Sequence, residues 1–318
     1  MIQRRFARFA WFVLAFNIAV VLWGAYVRAT GSGAGCGEHW PLCNGEVLPR
    51  SPQLETMIEF THRATSGLSL ILVVVLAVAA FRVFRSGHVV RRAALWSVGL
   101  ILSEALLGAA LVLLRHVASN ASTNRGYSLS LHLVNTMFLL AALTVTAWRA
   151  TERPALPSIA VPRGIRTTLV VVGVAFLLVG ISGAIAALGD TLFRAASIAE
   201  GMQRDFDPAS HPFVRLRILH PAIAIALAGA MISAALYLVS GNRGNRRTQK
   251  LAYLLIGFTL TQVILGALNL ALLAPVWVQM LHLLTADLLW LTLVVLTLEI
   301  RPLWSGSASS VRDQAVTA

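Results

Sequence analysis

Four of the eight histidines, His62, His132, His220 and His282, fall inside long apolar stretches rather than between them. Polar groups placed in hydrocarbon are costly and as a rule face a bundle interior or a cavity. Taken singly, each reads equally well as a histidine hydrogen-bonded between helices. Four at one depth, in related pairs, read better as ligands. Zinc favours a compact tetrahedral set that commonly mixes in cysteine or carboxylate. Paired imidazoles from facing helices suit instead the two axial positions of a haem iron, with the apolar macrocycle filling the space between helices. The pairs are then His62 with His132 and His220 with His282. The other four, His39, His88, His116 and His211, lie in connecting loops and read as solvated.

Further chemistry clusters near the first pair. Glu59 stands three residues before His62, on the same helix face. Such a carboxylate can serve as a base towards water or stabilise developing positive charge; the plain alternative is a carboxylate favoured by a helix N-terminus. The counterpart of Glu59 before His220 is Arg217. Deeper in the apolar runs, Glu104 aligns with Gln262, and Asp287 follows His282 by five residues. Each reads either as functional or as an interhelical hydrogen-bonding group. The only cysteines, Cys36 and Cys43, enclose Gly-Glu-His-Trp-Pro-Leu, a turn-prone segment that permits a structural bridge or a redox pair. Arg28, Arg63 and Arg217 stand where haem propionates would emerge, or else anchor helix ends by snorkelling.

These residues must be held by membrane helices. Of 318 residues, 57% are apolar and 12% charged, which excludes a water-soluble fold of this length as well as a disordered chain. Two cysteines exclude a disulfide-rich scaffold. The net charge of +13 comes from short arginine clusters between apolar runs, so it reads as topology and not as a nucleic-acid surface. Eight stretches reach the roughly 20 residues needed to cross a bilayer: 9–28, 58–84, 93–114, 128–148, 167–187, 216–239, 251–272 and 278–300. Of the 26 basic residues, 17 fall on the side of the termini, including Arg4, Arg5, Arg8, Arg82, Arg153, Arg243, Lys250 and Arg312. The positive-inside rule makes that side cytoplasmic. The longer loops, 29–57 and 188–215, then face outward, as do all four intramembrane histidines.

The chain also repeats itself. Leu106-Leu107-Gly108-Ala109 recurs as Ile264-Leu265-Gly266-Ala267, 158 residues on, and His62 and His220 share that separation. Leu131-His132-Leu133 recurs as Leu281-His282-Leu283 after 150. Parallel repeats place equivalent residues at equivalent depth. The expected architecture is an all-α integral membrane protein of two tandem, pseudo-two-fold-related four-helix bundles: residues 1–150, residues 151–304, and a flexible tail at 305–318.

The runs Gly24-Ala25-Tyr26-Val27-Arg28-Ala29-Thr30-Gly31-Ser32-Gly33, Trp40-Pro41-Leu42-Cys43, Glu59-Phe60-Thr61-His62-Arg63, Gly189-Asp190-Thr191-Leu192-Phe193 and Leu219-His220-Pro221 resemble the signature of heme A synthases across nearly all of residues 1–304. The resemblance implies oxidation of a heme O porphyrin methyl to a formyl group by successive hydroxylations, with water as the proposed oxygen source. It implies substrate haem at His62 and His132, haem b at His220 and His282, a catalytic Glu59, and the family's cysteine pair at Cys36 and Cys43. Arg194 stands where the family often has proline, a departure confined to the outer loop. The implied setting is a bacterial-type plasma membrane, with heme O delivered by a heme O synthase. The electron acceptor and the oligomeric state stay open. Two other readings of the histidines stand beside this one: a di-haem b-type cytochrome drawing electrons from quinol, and a haem carrier without chemistry.

Overall fold

The computed structural model describes residues 1–50, 52–151, 159–161, 163–240 and 245–302. The tail expected at 305–318 and the topogenic residues Arg153, Arg243 and Arg312 lie outside these. Among the described residues ten α-helices run in order as α1 (Ile2–Ala29), α2 (Leu54–Val83), α3 (Val89–Leu113), α4 (Thr123–Ala150), α5 (Arg163–Leu192), α6 (Ile198–Phe206), α7 (Pro212–Arg217), α8 (Leu219–Val239), α9 (Arg246–Ala271) and α10 (Val276–Glu299). Two three-residue strands, β1 (Ile159–Val161) and β2 (Ile300–Pro302), pair in parallel. Eight segments among the described residues are long and apolar enough to cross a membrane, with α7 and α8 together making the sixth. The chain is therefore an all-α, multi-pass membrane protein.

The helices outrun the apolar stretches that announce them. The first span begins at Ile2 and not near residue 9, and the fourth at Thr123 and not near 128. The hydrogen-bonded spiral continues through border residues that hydropathy counts as polar, and side chains close its exposed N–H groups. Ser122 accepts from Arg125 N, and Asn245 accepts from Arg247 N and Thr248 N. The sixth span is broken at Ile218, between α7 and α8. Pro221 explains the break, because it has no N–H to offer the carbonyl of Arg217 and its ring crowds that carbonyl.

The first four helices touch one another in chain order, and α4 returns to α1. Helices α5, α8, α9 and α10 do the same, with α10 returning to α5. Between the two sets, α4 contacts α5 and α10, and α1 contacts α10. A continuous apolar core crosses this seam, where Trp290 stacks on Phe176 and donates its indole N–H to the carbonyl of Met137. Helices α2, α4, α8 and α10 carry the four histidines, all near the end that bears the loops 30–53 and 193–211.

Candidate functional site

Each histidine faces a glycine on the span that precedes it. A Cβ built on Gly24 of α1 would stand 2.8 Å from His62 Cε1, and one on Gly183 of α5 would stand 2.9 Å from His220 Cε1. On Gly266 of α9 it would lie 3.3 Å from His282 Cε1, and on Gly108 of α3 it would lie 3.9 Å from His132 Cε1. At the first two positions no larger residue fits without moving the imidazole. Every one of these glycines is followed by alanine: Gly24-Ala25, Gly108-Ala109, Gly183-Ala184 and Gly266-Ala267. The internal repeat read from the sequence rests on only two of these dipeptides, although all four are there to be found.

Neighbouring polar groups orient the rings. Ser182 Oγ lies 3.0 Å from His220 Nδ1, which leaves Nε2 as the free nitrogen. Gln262 Nε2 lies 3.1 Å from His282 Nε2. Glu104, at the aligned position, approaches His132 Nδ1 at 3.4 Å, a contact too poorly directed to be a hydrogen bond. It instead accepts from Asn135 Nδ2 at 2.5 Å and from the Thr136 hydroxyl, so it does bind helix to helix. The Nδ1 atoms of His62, His132 and His282 are buried with no partner among the described residues.

The His220 and His282 rings lie 6.5 Å apart, centroid to centroid, with planes at 81°. One metal ion between two imidazoles, at about 2 Å from each nitrogen, would set the centroids roughly 6 Å apart. Among the described residues no three His, Cys, Asp or Glu side chains converge as a metal cage. Imidazole pairs with glycine at their backs and unpartnered ring nitrogens are therefore donors that fit a six-coordinate haem iron, which takes only two ligands from the protein.

Glu59 is 3% exposed, and both its oxygens are engaged. Cys36 N donates to Oε2 at 2.8 Å, while Arg63 donates to Oε1 from Nη2 at 2.6 Å and from Nε at 3.1 Å. Arg63 Nη1 also donates to the carbonyls of His39 and Leu42. Cys36 and Cys43 are joined by a disulfide. This bridged loop sits directly on the start of α2: a Cβ on Gly35 would meet the backbone of Glu55 at 2.5 Å. The Glu59–Arg63 pair thus fastens the loop over His62.

Arg217 does the corresponding work in the other set of helices. It donates to Asp205 of α6 at 2.5 Å, to Asp190 of α5 at 3.0 Å and to the carbonyl of Gly201 at 3.0 Å. Arg28 makes a different set of bonds, all to neutral acceptors: Ala187 O, Thr191 Oγ1 and Gln279 Oε1, at 2.9–3.1 Å. Of the three arginines expected near propionates, two are thus committed to carboxylates. Asp287 is fully buried, and neither of its oxygens has a partner among the described residues. Three of the loop histidines expected to be solvated have structural work. His88 and His211 cap α3 and α7, and His116 Nδ1 lies 2.8 Å from Ser128 Oγ. The helix α6 is not foreseen in the sequence, since its nine residues are too few and too polar to register in a search for spans.

A family model described as COX15-CtaA, cytochrome oxidase assembly protein, matches residues 7–294. A protoheme IX farnesyltransferase of Thermus thermophilus is 48% identical over 292 residues, covering 92% of this chain and 48% of that protein. A heme A synthase of Bacillus mycoides is 37% identical over 128 residues, covering 40% of this chain and 41% of that protein. A heme A synthase of Bacillus cereus is 36% identical over the same length. The chain spans about half the length of the curated relatives it matches.

Proposed function

The chain belongs to the COX15-CtaA family of cytochrome oxidase assembly proteins, and from that membership and the four glycine-backed histidines we propose that it is a heme A synthase. The substrate is heme O, held between His62 and His132. One porphyrin methyl and, net, one water would give a formyl group, four protons and four electrons, by way of two hydroxylations, the electrons passing one at a time to an external one- or two-electron acceptor. Haem b held by His220 and His282 supplies, when bound, one-electron transfer without an open coordination position. The single observation that carries the reading is the repeated pairing of a glycine on one span with a histidine on the next. That repetition also supports two tandem, pseudo-two-fold-related halves, 1–150 and 151–304.

The chain's own residues divide the work. Gly24 and Gly108 make room for the imidazoles of the substrate half, and Ser182 and Gln262 orient those of the other half. Glu59 is the carboxylate that takes protons from water in the substrate half, held in place by Arg63 and Cys36 N. Its reach to the reacting carbon depends on the bridged loop that shares its hydrogen bonds, so Cys36 and Cys43 act by keeping that loop closed. Arg28 is the propionate-facing arginine of the three, because Arg63 and Arg217 already serve carboxylates. Both termini are cytoplasmic, and the cysteine loop and the four histidines face outward.

The Thermus relatives bear a farnesyltransferase name, yet only 48% of their length aligns with this chain. The name of those relatives therefore describes proteins about twice as long as the part they share with this chain, and the heme A synthase assignment rests on the family and on the histidines. Expression with a heme O source, followed by pigment extraction and chromatography, tests this. A heme A synthase yields heme A or hydroxylated heme O beside haem b. A cytochrome holds haem b alone, a carrier leaves added heme O unchanged, and a farnesyltransferase makes heme O from haem b and farnesyl diphosphate.

A further inference from the structure

We propose that Arg125 binds a carboxylate of the tetrapyrrole held by His62 and His132, an inference that rests on the substrate site assigned above. Arg125 lies in the first turn of α4 and is 3% exposed. A helix N-terminus already carries partial positive charge, so it is an unfavourable place for a cation. Its Nη1 donates to the carbonyls of Ala118 at 2.5 Å and Asn120 at 2.8 Å, both neutral acceptors. Its Nε is buried with no acceptor among the described residues, and none of their carboxylates forms an ion pair with it.

A second cation aggravates the position. The charge of Arg125 acts on Arg28, which itself hydrogen-bonds only neutral groups, and Asp190 reaches Arg28 at longer range while bonded to Arg217. Arg28, in the last turn of α1, and Arg125, in the first turn of α4, thus both lack a bonded carboxylate among the described residues and together favour an anion. Arg125 precedes His132 by seven residues, two helical turns, so both side chains leave the same face of α4 about 10 Å apart along the axis. A tetrapyrrole carries its two carboxylates on one edge. A cation on the ligand's own helix face, towards the loop end, would meet that edge if it is turned towards the loops. The turn itself is fixed, because a Cβ on Gly126 would stand 2.9 Å from the Phe213 ring.

The test uses the purified full chain with its second-half haem as isolated, titrated with iron protoporphyrin IX and separately with its dimethyl ester, and followed by absorbance. Wild type should bind the diacid more tightly than the diester. Arg125→Gln should lose about tenfold to a hundredfold in affinity for the diacid and nothing for the diester. Arg125→Lys should recover part of the preference. An unchanged spectrum of the haem at His220 and His282 reports that each variant is folded. Equal diacid affinity in wild type and Arg125→Gln would overturn the proposal while leaving the site assignment intact. If wild type takes up neither form at His62 and His132, the site assignment fails and Arg125 falls with it.

Discussion

Glu59 and Arg217 stand 158 residues apart, the same separation as His62 and His220, and each ties an outer connection to the span that bears the histidine. Their charges are opposite and their partners are exchanged accordingly. Glu59 holds Arg63 and the backbone of Cys36, whereas Arg217 holds Asp190 and Asp205. The structural duty is thus common to both sites, with carboxylate and guanidinium exchanged between them.

Replacing Glu59 with glutamine keeps an acceptor for Cys36 N but removes the charge that Arg63 faces. Haem content should be retained while formyl product falls by about a hundredfold or more, the usual range for a lost general base. Chromatography of extracted pigments measures both. An unchanged heme A yield would leave Glu59 with the loop-fastening role alone.

The glycines give a graded series. Alanine in a helix is ordinarily more stable than glycine by about 0.5–1 kcal/mol. At Gly183, however, the added methyl would press on His220 at 2.9 Å, whereas at Gly108 it would stand 3.9 Å from His132. Gly183→Ala should therefore lose the low-spin haem signal of its half, and Gly108→Ala should keep its own. Optical spectra of the two purified variants decide the matter. Equal haem retention in both would show that the close approach is not required.

Asp287 lies fully buried with both oxygens unpartnered among the described residues. Leucine has a comparable shape, and removing a buried polar group that has no hydrogen-bond partner relieves a desolvation penalty of about 1–3 kcal/mol. Asp287→Leu should raise the thermal transition of the detergent-solubilised protein. A lowered transition, or loss of haem, would reveal that the carboxylate has work in the loaded protein.

Much of the site was legible in the residues because the membrane simplifies the problem. Hydrocarbon tolerates few polar groups, so His62, His132, His220 and His282 stood out against their surroundings, as did the eight spans. What stayed hidden depended on three-dimensional approach. Nothing in spacing alone pairs Arg28 with Gln279, 251 residues away, or reveals that Arg63 reaches the carbonyls of His39 and Leu42. That no carboxylate among the described residues pairs with Arg125 was equally unreadable, since such a lack appears only when the neighbours are placed. Helix ends were underestimated because the spiral runs on through polar border residues, as in the first turns from Ile2 and Thr123, that a search for apolar runs leaves out.

The central claim is that each glycine-backed histidine pair holds one tetrapyrrole, and stoichiometry tests it most directly. Haem extracted per chain, measured beside the optical spectrum, should be two for wild type supplied with heme O. It should be one for either His220→Ala or His62→Ala, with the surviving signal belonging to the other half. A colourless wild-type protein, or a content that none of the four histidine substitutions alters, would contradict it.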